Sequence, residues 1–367
     1  MGPLYDAVGL GMWTYSNAAF RVVTVGPRRF TVEPRTLIVV THRRETDVPV
    51  IAPLVYFGAR FWRNRERRMG FAARDDMFLP GFFAGFPEAL PKTARRAFFH
   101  LGVGRFLPRV EVHPISSASV ARAGELVRAL PEAPLEKLLP ADLADVFRVR
   151  SDELGLPAAL YGSDVLRGEY ADLLWRPVER NDGVGPDGFW ERRAARAAAD
   201  FRALVDVARE RPLVVFPEGR PSPDGEIGPL RRGLSALVRR VRPQAFLLIA
   251  LAYDPLVRGR TRIVASVRPG VEPPEDAETA TLELLKRAMP LTSGQYVAHE
   301  LVAGREATEA GLTDVLEAAR SEERPVDPEL IDPSRRRARL ADALAAADRR
   351  PRELPYLARE YESARSV

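Results

Sequence analysis

The chain has 367 residues, a net charge of +5 and no cysteine. Its 46% hydrophobic and 29% charged residues are ordinary for a folded protein and argue against wholesale disorder. The absence of cysteine excludes disulfides, thiolate metal sites and a cysteine nucleophile, and the basic excess suits an anionic partner.

The first 21 residues are predicted to form a helix. The stretch from Ala7 to Phe20 is uncharged and contains Trp13 and Tyr15. It is too short and too polar to span a bilayer, but it suits a membrane interface. Docking onto the folded protein is an equally weighted alternative. Because signal-peptide features are lacking, we expect a cytoplasmic protein, bound peripherally to the inner face of the cell membrane.

Strand-like runs follow this helix. Val22–Val25 and Phe30–Val32 are separated by a glycine-proline turn signal, and Leu37–Thr41 is the clearest buried strand. The next segment, Val48–Tyr56, is predicted to be a helix that begins beside Asp47.

Two patches in the next part of the chain combine features that suit a lipid surface. One is basic and aromatic and spans 60–68, and the other is an aromatic turn region at 78–86. Core packing is the default interpretation of the second patch, with an acyl-chain tunnel and a membrane-insertion loop as alternatives, and a solvated face is the ordinary interpretation of the first patch. No recognisable nucleic-acid module surrounds the first, so no nucleic-acid partner is expected. A strand is predicted at 107–115 and helices at 119–150, before an irregular, glycine-rich stretch at 151–186.

The second half of the chain alternates helices with strands. Asp187–Arg209 is predicted to be an amphipathic helix that leads into the strand Leu213–Phe216. Further strands are predicted at Ala245–Tyr253 and Thr261–Val267, and the chain is helical after about residue 305. The pattern predicts an α/β fold with a single mixed or mostly parallel sheet and helices on both faces.

Three regions are expected along the chain. An amphipathic or interfacial helix occupies 1–21, and the main domain occupies 22–300 with a helical insertion at about 116–186. A charged helical tail occupies 301–367, and we expect it to be solvated.

Polar side chains follow two of the predicted strands. His42 and Asp47 follow the first, and Phe216-Pro217-Glu218-Gly219-Arg220 follows the second. A hydroxyl attacks a thioester poorly unless a base removes its proton, and histidine oriented by a carboxylate is suited to this task. Because residues five apart on an ideal helix diverge by roughly 140°, His42 must lie in the turn before the helix and Asp47 in its first turn.

These segments resemble the signature blocks of the glycerolipid acyltransferase superfamily, the PlsC-like group that includes 1-acylglycerol-3-phosphate acyltransferases. His42-x4-Asp47 resembles the first block, and Phe216–Gly219 resembles the third. Ala73–Phe78 resembles the short segment that follows the first block, and Pro229–Gly233 resembles the segment that trails the third. Ala250–Tyr253 lies where the fourth, mostly apolar block of the family would fall. The resemblance covers about residues 20–270.

The resemblance implies an O-acyltransferase that moves a fatty acyl group from acyl-CoA or acyl carrier protein to a hydroxyl of a lysophospholipid. His42 would be the general base and Asp47 its orienting partner. Glu218 and Gly219 would belong to the acceptor site, and Arg220 would hold a phosphate or another anionic head group. No bound cofactor is expected, and four histidines without cysteine or clustering predict no metal site.

Two departures from the family pattern loosen the identity of the acceptor. The family commonly has Glu-Gly-Thr-Arg-Ser where this chain has Glu-Gly-Arg-Pro-Ser, so Arg220 is displaced by one position. The second block usually ends in an arginine, and here Arg109 and His113 are the acceptor-site candidates near that place. The alternatives are therefore an acyltransferase for a glycolipid or specialised lipid, and a catalytically silent lipid-binding or scaffolding protein on the same fold.

Overall fold

A computed structural model describes residues 3–61, 63, 68–81, 92–99, 101–156 and 160–365. Its central feature is a seven-stranded sheet. In spatial order, the strands of this sheet are β1 Arg21–Val25, β9 Arg262–Val271, β8 Ala245–Asp254, β2 Thr36–Val40, β7 Leu213–Val215, β3 Gly70–Arg74 and β4 Val112–Ile115. The strands β8 and β9 are antiparallel, whereas β1 with β9, β2 with both β7 and β8, and β3 with β7 are parallel. The predicted fold class, α/β with one mixed and mostly parallel sheet, is confirmed.

The other two strands, β5 Val120–Arg122 and β6 Pro177–Glu179, form a separate antiparallel pair. Every residue of β2 and β7 is buried, as expected for parallel strands covered on both faces.

The α-helices of the described residues are α1 Pro3–Ala19, α2 Asp47–Gly58, α3 Lys92–Phe99, α4 Ala123–Ala129, α5 Leu135–Leu138, α6 Ala141–Glu153, α7 Gly162–Val165, α8 Ala171–Leu174, α9 Phe189–Glu210, α10 Gly233–Val241, α11 Thr279–Ala288, α12 Ser293–Val302, α13 Glu309–Ser321, α14 Pro333–Ala347 and α15 Leu354–Ser363. Within the described ranges, no helix is both long enough and apolar enough to cross a membrane.

The chain divides into two compact units. Unit 1 comprises Met1–Phe71 with Val205–Val367, and unit 2 comprises Ala72–Leu204. Unit 2 has its own apolar core, in which the rings of Phe147 and Tyr170 stack with their centroids 5.6 Å apart. A buried arginine, Arg193, links its elements by ion pairs with Asp75 at 2.9 Å and Glu125 at 2.6 Å.

Unit 1 contains the C-terminal helices as part of its core. Leu312 in α13, Leu340 in α14 and Leu357 in α15 are buried in one cluster with Tyr296 of α12. The expectation of a solvated tail is therefore wrong, because the charged faces of these helices alternate with apolar faces that pack inward.

The N-terminal helix α1 is docked on unit 1 and also exposes apolar side chains. Tyr5 and Ser16 are buried, and Ser16 Oγ donates to the carbonyl of Pro49 in α2 at 2.6 Å. Leu10 and Trp13 are exposed. Docking does not exclude contact with a membrane interface, which stays a prediction.

Three local predictions differ from the structure. Phe30–Val32 is not a strand. Its first residue instead packs on the end of α2, where a Cβ at Gly58 would lie 2.5 Å from the Phe30 ring. The segment 107–115 contains a 3-10 turn, because Pro108 and the left-handed Glu111 interrupt it, and only Val112–Ile115 is extended. The stretch 151–186 contains the short elements α7, α8 and β6.

The aromatic and basic patches are only partly visible. Trp62 and residues 64–67 of the first patch and residues 82–86 of the second lie outside the described residues. The described second unit extends from Ala72 to Leu204, which is wider than the insertion predicted at 116–186.

Candidate active site

The two polar segments meet at one edge of the sheet. Strands β2 and β7 are parallel neighbours, with Val39 opposite Val215, so the residues that follow them emerge at the same edge. The backbone N–H of His42 donates to Glu218 Oε1 at 2.7 Å, and the N–H of Ser222 donates to the carbonyl of His42 at 2.9 Å. These bonds join the two segments directly.

His42 and Asp47 form a hydrogen-bonded pair. His42 Nδ1 lies 2.9 Å from Asp47 Oδ2, with Asp47 as the first residue of α2 and His42 in the turn before it. Because a carboxylate can only accept, Nδ1 carries the proton and the lone pair of Nε2 is left for another partner. No described residue hydrogen-bonds to Nε2. The imidazole is 15% exposed and packs on Phe216 with ring centroids 4.6 Å apart.

Asp47 is fixed by three further donors. The backbone N–H groups of Arg43 and Arg44 donate to Oδ2 at 2.6 and 3.1 Å, and the hydroxyl of Tyr253 donates to Oδ1 at 2.8 Å. Tyr253 comes from β8, the strand beside β2. A fully buried carboxylate that accepts four hydrogen bonds has little freedom to rotate, so the imidazole that it holds is also fixed in direction.

Glu218 lies behind the histidine rather than beside open solvent. It is 5% exposed. Burial raises the pKa of its carboxyl to about 7, although the guanidinium of Arg43 and the N–H groups of His42 and Gly228 favour the charged form. Its contact with the His42 backbone makes it a residue that positions the turn.

Gly219 and Arg220 complete the second segment at the surface. Gly219 has a φ of +72°, where a side chain would be strained, and the side chain of Arg231 crosses the space that a Cβ would fill. Arg231 Nε donates to the Glu218 carbonyl at 3.4 Å. Arg220 is exposed, and within the described chain its guanidinium has no carboxylate partner.

Arg109 and His113 belong to unit 2. Arg109 is exposed in the 3-10 turn before β4, with its guanidinium 5.5 Å from the centre of the Phe106 ring. His113 lies in β4, and its Nε2 is 3.5 Å from Glu111 Oε2. Their place in acceptor binding stays a prediction.

The C-terminal helix α15 holds the turn that carries His42 in place. Arg43 Nε donates to Glu360 Oε1 at 3.0 Å, and the Tyr356 hydroxyl donates to the Arg43 carbonyl at 3.1 Å. Arg44 pairs with Glu353, just before the helix, at 2.7 Å. Both arginines adjoin His42 in sequence, so one helix face fixes the backbone on which the base is carried.

The same helix also holds the loop that follows Glu218. The side chain of Arg359 pairs with Asp224 at 2.7 Å, and the Ile227 N–H donates to Ser363 Oγ at 3.1 Å. Gly225 approaches α15 so closely that a Cβ there would lie 2.1 Å from the Tyr356 carbonyl oxygen. Thus α15 contacts both segments of the candidate active site.

Sequence reasoning missed Tyr253 and Glu360 as parts of this site. In the sequence, Tyr253 stands at the polar end of a long apolar strand. The sequence does not show that this strand lies beside the strand that leads to His42. Glu360 offered no signal, because an acidic residue in a charged helix is normally solvated. Among the described residues, no group of three His, Asp or Glu side chains could hold a metal ion.

Comparisons with known proteins add little to this geometry. No protein-family model matches the chain, and no curated protein sequence matches it significantly. Among solved structures, the chain is similar to the crystal structure of the 1-acyl-sn-glycerophosphate (LPA) acyltransferase PlsC from Thermotoga maritima, with 13% identity over 77% of each chain and a TM-score of 0.36. So distant a likeness does not establish a family or an activity for this chain.

Proposed function

We propose that this protein is an O-acyltransferase that transfers a fatty acyl group from a thioester to a hydroxyl of a lipid acceptor. The observation that supports this best is the hydrogen-bonded pair of His42 and Asp47 at the sheet edge, with Nε2 of the imidazole directed away from its carboxylate partner. This is the arrangement of a general base whose tautomer is fixed.

In the proposed reaction, His42 Nε2 removes the proton of the acceptor hydroxyl while the oxygen attacks the thioester carbonyl. The carbon–oxygen bond forms and the carbon–sulfur bond breaks, so an ester and a thiol leave. The imidazolium is stabilised by the Asp47 carboxylate and returns its proton to the departing sulfur. The donor is acyl-CoA or acyl carrier protein, with no bound cofactor, no metal and no covalent acyl-enzyme.

The proposed acceptor is a lysophospholipid such as 1-acylglycerol-3-phosphate. Exposed Arg220, at the surface just past Glu218, is suited to a phosphate, and Gly219, Arg109 and His113 remain the other acceptor candidates. A glycolipid or specialised lipid is the second candidate acceptor, because Arg220 stands one position from the place that the family pattern gives it. The protein would act at the inner face of the cell membrane.

A catalytically silent lipid-binding protein is the rival from another class. A silent protein has no chemical need for a carboxylate that is fully buried to orient a histidine ring, yet Asp47 takes four hydrogen bonds in that role. The intact pair therefore favours catalysis.

Thiol release from a panel of acyl-CoA donors, with lysophosphatidate and other lysolipids as acceptors, tests the proposal. His42→Ala should lower kcat/KM by about 10² to 10⁴ because general-base catalysis contributes that much. His299→Ala, which removes a histidine from α12, is the matched control and should retain the rate. Equal thiol release by wild type and His42→Ala would overturn the catalytic assignment. No turnover with any acceptor would favour the silent rival.

A further inference from the structure

A second candidate site lies in unit 1, on a groove between α1, β1 and α2. Its volume is about 770 Å³, within the range of sites that hold small molecules. A smaller cavity of about 380 Å³ adjoins it and shares Arg29, Phe30, Gly58 and Arg60 as lining residues. Neither His42 nor Asp47 is among the described residues that line the groove.

The floor of the groove is apolar. Four residues of α2 recur at helical spacing along it, and two consecutive residues of the edge strand β1 also line it: Val50, Pro53, Leu54, Phe57, Val22 and Val23. Trp13 of α1 stands beside Phe57 with ring centroids 6.0 Å apart, and these two residues are 45% and 37% exposed. An open apolar strip with an aromatic rim suits an alkyl chain better than a polar ligand.

The groove is also strongly basic. It is lined by six arginines and one glutamate, a formal excess of five positive charges that equals the net charge of the entire chain. The glutamate, Glu329, already pairs with Arg21, Arg262 and Arg339. Arg335 lies near Asp332, and its charge favours the ionised form of that carboxyl. Within the described chain, the other four arginines of the groove have no carboxylate partner: Arg28, Arg29, Arg60 and Arg63.

The backbone beyond α2 places two of these arginines at the groove. Arg60 has a φ of +55°, a conformation that non-glycine residues seldom adopt. Its N–H donates to the Phe57 carbonyl at 3.3 Å, and the Arg63 N–H donates to the Arg60 carbonyl at 2.9 Å. These bonds end α2 in a left-handed turn, and Arg60 and Arg63 both line the groove there.

We propose that this groove binds one anionic phospholipid from a membrane leaflet. The guanidinium groups of Arg28, Arg29, Arg60 and Arg63 hold the phosphate, because their planar forks match its oxygens. The acyl chain lies along the apolar strip, and Trp13 sits at the level of the head groups. This proposal extends the proposed function by naming the class of lipid that holds the protein at the membrane. It rests on the proposed function, because that function makes the protein one that works at a lipid surface.

Flotation with vesicles tests the assignment. The probes are vesicles of phosphatidylcholine alone and vesicles of phosphatidylcholine mixed with phosphatidylglycerol. Substitution of Arg28, Arg29, Arg60 and Arg63 by glutamine should weaken partitioning onto the anionic vesicles by about a thousandfold. The matched control replaces four exposed arginines that line neither of these two cavities and have no ion pair among the described residues: Arg202, Arg239, Arg320 and Arg349. It loses the same charge and should bind nearly as well as wild type.

Binding of monomeric ligands shows whether the groove recognises a phospholipid or only a phosphate group. Lysophosphatidylglycerol below its micelle concentration should bind the wild type at least tenfold more tightly than it binds the groove variant, so that acceptor binding at the active site is subtracted. Glycerol phosphate and lysophosphatidylcholine, which lack the chain or the net charge, should bind the wild type at least tenfold more weakly than lysophosphatidylglycerol does. Equal losses in the two quadruple variants would overturn the site in favour of general surface charge. Equal binding of glycerol phosphate or an oligonucleotide would overturn it in favour of a simple anion site.

His42→Ala keeps this test independent of catalysis. The variant should bind anionic vesicles as the wild type does, since His42 is not in the groove. Loss of thiol release with vesicle binding retained supports both proposals. Vesicle binding that is absent from both wild type and His42→Ala overturns the lipid site, and thiol release in the wild type would then still support acyl transfer.

Discussion

At the scale of single residues, the carboxylate of Asp47 decides how well the candidate base is oriented. Its Oδ2 accepts hydrogen bonds from His42 Nδ1 and from two backbone N–H groups of the turn, so this oxygen is held by local structure. Its other oxygen is held by a single described side chain, the hydroxyl of Tyr253. Tyr253 does not need to touch substrate to influence the reaction, and it is a positioning residue.

Tyr253→Phe should therefore impair catalysis without abolishing it. Loss of one charge-assisted hydrogen bond lets the carboxylate and the imidazole rotate, and a cost near 1.4 kcal/mol corresponds to about a tenfold fall in kcat. The KM for the lipid acceptor should change little, because the hydroxyl is buried. Steady-state thiol release measures both constants.

Tyr296→Phe provides the control for this substitution. Its hydroxyl is also bonded, to the Thr308 carbonyl at 3.1 Å, but in the helical cluster away from His42. If the two variants lose kcat equally, the Tyr253 effect reflects general stability and the positioning role is wrong.

At the scale of elements, α15 is the unexpected part of the site. It supplies Glu360 to Arg43 across 317 positions of sequence, and Glu360 Oε2 accepts from Gln295 of α12 at 2.8 Å. Both oxygens of this buried carboxylate are satisfied, as a buried ion pair requires. The side chains of the ion pair between Arg44 and Glu353 are about one-third exposed, so water screens their attraction.

The two ion pairs should therefore differ in their contribution to stability. Glu360→Gln deprives the buried Arg43 of its hydrogen-bonded carboxylate and should lower the free energy of unfolding by about 3 to 5 kcal/mol. Glu353→Gln should cost about 0 to 1 kcal/mol because its pair is partly exposed. Urea unfolding of both variants measures the difference. A similar loss in both would mean that α15 does not fix the turn through the Arg43 pair.

The elements that sequence could predict are those with a strong local pattern. Leu37–Thr41 and Ala245–Tyr253 are runs of apolar and β-branched residues, and both are buried strands. The long helix at 187–209 shows the periodicity of an amphipathic helix and is confirmed as α9. Phe30–Val32 misled because a short apolar run can pack on a helix end as readily as it can join a sheet.

The candidate site was only half predictable for a related reason. His42 and Asp47 lie five positions apart, so the chemistry of the pair can be read from one short segment. Tyr253 and Glu360 reach that segment only after β8 pairs with β2 and α15 folds back. Such contacts depend on which strands become neighbours, which no local pattern specifies.

At the scale of the whole molecule, buried carboxyl groups determine how stability varies with pH. Burial raises the pKa of Glu218 to about 7 and that of Asp254 to about 6. In the unfolded chain both groups release their protons at about pH 4. Between these values the folded protein holds more protons than the unfolded chain, so its free energy of unfolding falls as pH rises.

Glu218→Gln should remove part of this dependence. In the wild type, the contribution of Glu218 is fully present below about pH 4.5 and is lost as pH rises to about 7, a change of about 3 kcal/mol. The variant has no proton to lose there, so its stability should fall by about that much less over the same window. Urea unfolding at pH 4.5, 6 and 7.5 (each to about 0.1 unit) measures the slope. Glu226→Gln, an exposed substitution in the same loop, is the control and should show the same dependence of stability on pH as the wild type. The same dependence in Glu218→Gln would show that burial does not hold a proton on Glu218.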